Sequence, residues 1–106
     1  MARKATRRGT QNVLMDLGLP DAEELTAKAV LAKRINDILE RRALTQSAAA
    51  DLLGIPQPKI SAIRHYKVRG ISLERLMQAL TALGQNVEIV VTPSKKKSAA
   101  RIAVAA

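Results

Sequence analysis

Residues 43–63 read ALTQSAAADLLGIPQPKISAI: an alanine-rich run, a lone glycine, then two prolines crowded around a glutamine and a lysine. Thr45 offers a side-chain oxygen to the free amide groups of a helix start, so a short helix is expected through Leu53, with Gly54 as its stop. Pro56 and Pro58 would break a helix from within. In a first turn, however, the missing N–H has no partner to lose and the fixed φ is already helical, so the two prolines restart the chain as a second helix. On that helix Ile60 and Ile63 stand at i, i+3 and face inward, which leaves Gln57, Lys59, Ser61, Ala62 and His65 on or near the open side.

Two short helices joined through a glycine turn are the ingredients of a helix-turn-helix. Such helices cross closely, so a small residue is expected four positions before the glycine, and Ala50 stands there. Gly54 accepts a positive φ at little cost. Ile60 and Ile63 then peg the second helix against the first.

The flanks read outward from this unit. Asp21 and Glu24 have the D-x-x-E spacing of a capping box and open a long helix expected to run to about Arg42. Its apolar stripe is Leu31, Ile35, Ile38 and Leu39, with Lys33, Arg34, Asp37 and Arg41 away from it. Downstream, Ser72 caps a helix carrying Leu73, Leu76, Met77, Leu80 and Leu83, and Gly84 ends it. The period then changes: NVEIVVT, residues 86–92, puts Val87, Ile89 and Val91 on one face of a strand. A lone strand needs a partner, which is either residues 12–17 or the same strand of a second copy. The patch Val13, Leu14, Met15 and Leu17 is a helical turn or a strand. Residues 1–11 read as a flexible basic arm, 12–92 as the folded domain and 93–106 as a flexible basic tail.

Composition points the same way. A chain of 106 residues fits one small core, and with Tyr66 as the only aromatic that core is Leu, Ile, Val and Ala, so a mainly all-α fold of four to five helices is expected. Lys and Arg number 18 against 9 acidic residues, a formal charge of +9 that attracts polyanions, nucleic acid first among them. There is no cysteine, hence no disulfide or thiolate site. The basic start is followed by only Val13-Leu14-Met15 before Asp16, too short for a secretion signal, and no apolar run suits a membrane span. The expected compartment is the cytoplasm.

The segment LTQSAAADLLGIPQPKIS resembles the helix-turn-helix of Xre (Cro-type) regulators. The wider block from DLGLPDAEEL to SLERLMQALTALGQNVEIVV, about residues 13–92, is similar to the HigA-like branch, the antitoxin and autorepressor of HigBA-like toxin–antitoxin pairs. The resemblance implies a repressor that binds a palindromic double-stranded DNA operator as a homodimer, either with a small ribonuclease toxin as a further partner contacting the first helix or N-terminal segment, or as a stand-alone Xre-family regulator without a toxin. It implies that Gln46 touches the DNA backbone and that Gln57, Pro58, Lys59, Ser61 and Ala62 form the recognition face in the major groove, with His65 beside them. Gln57 suits adenine; Lys59 suits a phosphate or guanine. Tyr66 departs from the family, which usually has glycine there, with Gly70 four residues later.

Other classes fit less well. A reader of single-stranded RNA stacks bases on aromatics, and one tyrosine is poor equipment. For an enzyme the inventory is poor, with one histidine, no cysteine, no glycine-rich phosphate loop and no paired carboxylates outside helix caps, so no catalytic residue, metal site or cofactor is expected. Asp21, Glu23 and Glu24 read as first-turn acids favoured by the helix dipole rather than as metal ligands.

Overall fold

The computed structural model describes residues 20–94 and 102–105. Among them are four helices: α1 (Pro20–Arg41), α2 (Gln46–Leu53), α3 (Gln57–Arg64) and α4 (Leu73–Ala82). The arm at 1–11 and the patch at 13–17 lie outside the described residues.

Local chemistry accounts for where the helices begin. The Thr45 hydroxyl accepts from the Ala48 amide at 3.0 Å and the Ser72 hydroxyl from the Arg75 amide at 3.0 Å, so both expected caps form. Pro56 is the N-cap of α3 and Pro58 sits in its first turn. At α1 the side chain of Asp21, half of the expected capping box, lies outside what is described. The helix already includes Asp21, and the Glu24 carboxylate lies 3.1 Å from Lys28 Nζ one turn along.

The helix ends share one device. Each is followed by a left-handed residue, Ala43 (φ 52°), Gly54 (φ 65°), Tyr66 (φ 60°) and Gly84 (φ 82°). The next amide then reaches back five residues: Leu44 to Leu39, Ile55 to Ala50, Lys67 to Ala62 and Gln85 to Leu80, at 2.8–3.2 Å. This satisfies carbonyls that the helix leaves open. A Cβ on Gly54 would meet nothing within 4 Å, so glycine is favoured there by torsion and not by space.

The core is aliphatic. From α1 it takes Ala27, Leu31, Ala32, Ile35, Ile38 and Leu39; from α4, Leu76, Ala79 and Leu80, with Leu83 just beyond. Ala49 is the wholly buried alanine of α2, whereas Ala50, expected at the crossing, is half-buried and packs on the rim of the core. Ile60 and Ile63 are both 0% exposed, so α3 is anchored as its spacing requires. No described helix is long and apolar enough to cross a membrane.

Two findings concern the C-terminal part. The strand expected at 86–92 is absent among the described residues: residues 85–94 carry no regular structure, Val87 packs on the core, and Ile89, Val90 and Val91 stand exposed. A strand exists only through hydrogen bonds to a neighbour, and no described segment of the chain supplies one. Within the expected tail, Val104 packs against the core and the Ile102 amide donates to Glu23 Oε1 of α1 at 3.1 Å.

Candidate nucleic-acid interface

The recognition candidate is α3, and its outward aim is set by α1. Asn36 is a buried polar residue in the apolar stripe; its Nδ2 donates to the Ile63 carbonyl at 2.9 Å. Arg64 returns the contact: Nη1 donates to the Asn36 carbonyl and Oδ1 at 3.2 and 3.3 Å, and Nη2 to Glu40 Oε2 at 3.3 Å. The last turn of α3 is thus fixed on one side by a polar lock and beneath by Ile60 and Ile63. Two further bonds tie α1 and the residue that follows it to the rest: Lys28 Nζ to the Arg69 carbonyl at 3.2 Å, and Arg42 Nη2 to the Leu83 carbonyl at 2.8 Å.

With its inner side anchored, α3 shows water the opposite side. Gln57, Pro58, Lys59 and His65 are exposed, while Ser61 and Ala62 are half-exposed. At about 100° per residue, Pro58, Ser61, Ala62 and His65 lie opposite the Ile60–Ile63 side, with Gln57 at the entrance. Lys59 is different. It stands only about 40° round the axis from Ile63, on a shoulder, and its Nζ reaches the Gly70 carbonyl at 3.4 Å. His65 Nδ1 lies 2.8 Å from the Ser61 carbonyl, which can only accept, so Nδ1 carries the proton. The ring is thereby laid along the helix with Nε2 free to point outward.

Gln46, the remaining expected contact, is half-buried in the first turn of α2, two helices being joined here by the Gly54 turn. The structure therefore brings Pro58, Ser61, Ala62 and His65 onto one face, with Gln57 at its entrance edge and Lys59 at the other, and leaves Gln46 on the neighbouring helix. Tyr66 takes the left-handed conformation that glycine adopts most readily, so the loop after α3 keeps the turn despite the bulky side chain. The residue is 46% exposed.

The sequence reading did not identify Asn36, Glu40 and Arg64 as the parts that aim α3. A signal existed, since Asn36 interrupts the stripe between Ile35 and Leu39, where an uncharged polar group must find a buried partner. Away from α3, the outer side of α1 and Tyr66 line an open groove of about 520 Å³, including Thr26, Ala29, Val30, Lys33 and Asp37. Asp37 bonds Lys33 Nζ at 2.8 and 3.0 Å and holds that ammonium above the usual lysine value. Among the described residues no three His, Asp or Glu side chains are grouped to hold a metal ion.

Comparison with known proteins adds the family. A helix-turn-helix domain family matches residues 13–92. A solved structure named as an XRE family transcriptional regulator is similar to this chain, with 52% sequence identity and a TM-score of 0.74 over 82% of this chain and 99% of that one. No curated protein matches the chain. With the glycine turn, the buried pegs and the outward α3 in place, this chain belongs to the helix-turn-helix domain family and, within it, to the XRE-type transcriptional regulators.

Proposed function

We propose that the protein is a sequence-specific double-stranded DNA-binding transcriptional repressor. The observation that carries this reading is the two-sided character of α3: Ile60 and Ile63 are fully buried while Gln57, Pro58, Lys59 and His65 are open to water. A rod held from beneath and bare above is what a major groove admits. The formal charge of +9 supplies the attraction that does not depend on sequence. Gln57, Pro58, Lys59, Ser61, Ala62 and His65 are the contacts from α3, and Gln46 reaches the backbone from α2. A gel-retardation experiment with the DNA upstream of the gene tests it. The protein is expected to retard a palindromic fragment, and Gln57→Ala and Lys59→Ala proteins that fold yet bind unchanged would contradict the assignment.

The finer reading is a homodimer reading two half-sites about 34 Å apart. It draws support from Ile89, Val90 and Val91, which are 74%, 78% and 90% exposed, an apolar segment that strand pairing with a second copy would cover. Ultracentrifugation of the wild type and of an Ile89→Lys variant decides it: the variant should be monomeric if this segment joins the copies. The role of antitoxin in a HigBA-like pair rests on the resemblance of residues 13–92, and the open groove between α1 and Tyr66 is a surface a small toxin could cover. Co-purification with the product of the adjacent reading frame tests it.

A further inference from the structure

We infer that the recognition face reads A·T pairs and thymine methyl groups, not guanine, so that the operator half-site has an A·T core. This rests on the DNA-binding reading above and specifies the target of the same site. The strongest reader of guanine is an arginine or lysine aimed at O6 and N7. Helix α3 has one of each, and both are drawn off the face. Arg64 is directed inward onto Asn36 and Glu40 by three bonds of 3.2–3.3 Å. Lys59 occupies the shoulder, with Nζ 3.4 Å from the Gly70 carbonyl, where a DNA backbone would pass.

What remains on the face is uncharged in its polar chemistry and partly apolar. The Gln57 carboxamide is both donor and acceptor, the pattern that adenine N6 and N7 complement. Pro58 and Ala62 present carbon alone, which suits the thymine 5-methyl group and offers guanine or cytosine no hydrogen bond. His65 has its Nδ1–H committed to the Ser61 carbonyl at 2.8 Å, which leaves Nε2 as the ring nitrogen for a base edge, an acceptor when it carries no proton. It fits an amino group, adenine N6 or cytosine N4, and so does not choose between the pairs. Ser61 hydroxyl accepts either base. No residue on this face favours G·C.

Selection of the full-length protein on duplexes with randomised cores at moderate salt tests the inference. The expected outcome is an A·T core, with a tenfold or greater loss of affinity when the adenine read by Gln57 is exchanged for guanine, the scale of one bidentate pair. Replacing the contacted thymine by uracil, which deletes only the methyl, should weaken binding about fourfold. In Ala62→Gly that thymine-to-uracil ratio should fall toward one, a ratio that a merely destabilised helix would leave unchanged. Enrichment of a G·C core, or equal affinity for thymine and uracil duplexes, overturns the inference while leaving the DNA-binding reading standing. Retention of no duplex at all removes that reading and the inference with it.

Discussion

Asn36 and Ile63 are 27 positions apart in sequence, and the side chain of the first donates to the backbone carbonyl of the second across a buried 2.9 Å. This bond joins the longest helix to the last turn of the one proposed to enter DNA. Replacing Asn36 by leucine deletes the donor and the Oδ1 that receives Arg64, leaving the Ile63 carbonyl to backbone amides of the turn after α3. The expected loss is about 1–3 kcal/mol of unfolding free energy. Denaturant titration should show a lower midpoint at unchanged slope. An unaltered midpoint would mean that packing alone holds α3.

The outer part of the same lock should matter little. The Glu40 side chain is 67% exposed and that of Arg64 29%, so solvent screens their 3.3 Å pair. Glu40→Gln is expected to change stability by less than about 0.5 kcal/mol, and a double-mutant cycle with Arg64→Ala would measure the coupling.

Ala43 holds a left-handed φ of 52° that its Cβ disfavours. Ala43→Gly should therefore stabilise the fold, by about 0.5–1 kcal/mol after the greater freedom of glycine in the unfolded chain is set against the relieved strain. A thermal melt should register a rise of several degrees. A fall would show that the left-handed turn after α1 costs this chain nothing.

Lys59 and Gln57 should fail in different ways. From its shoulder position, Lys59→Ala is expected to weaken binding to all duplexes alike and to lower the slope of log affinity against log salt by about 0.9. Gln57→Ala should leave that slope unchanged and flatten the preference at one base pair, by about 1–3 kcal/mol. Affinity titrations at several salt concentrations on matched and mismatched duplexes separate the two.

The C-terminal contact with α1 is also open to test. Val104 packs on the core and the Ile102 amide meets Glu23 Oε1 at 3.1 Å. Val104→Asp puts a charge on that apolar seat, and hydrogen exchange should quicken in the first turns of α1 while α2 and α3 stay as protected as before. Exchange that is the same along α1 would show that the segment adds nothing to its stability.

Much of this molecule is written locally. Thr45, Ser72, Gly54 and Gly84 mark helix ends through bonds to amides or carbonyls three to five residues away, and Ile60 and Ile63 share a side by helical period alone. Other features were beyond such reasoning. The period of residues 86–92 suits a strand, yet a strand is completed by another segment, and among the described residues none pairs with it. Ala43 and Tyr66 carry side chains that argue against a left-handed turn, but the bonds closing over them decide the matter. Lys28 looks like one more solvated cation; the Arg69 carbonyl and Glu24 give it a buried place instead.

The helices and the proline-led rod behind a glycine turn are legible in the chain, because caps and apolar period act within a few residues of it. How that rod is aimed, and where its two cations are held, follows from long-range packing alone. Those answers depend on partners such as Asn36 and Arg64, 28 residues apart, whose meeting follows from packing and not from any local rule.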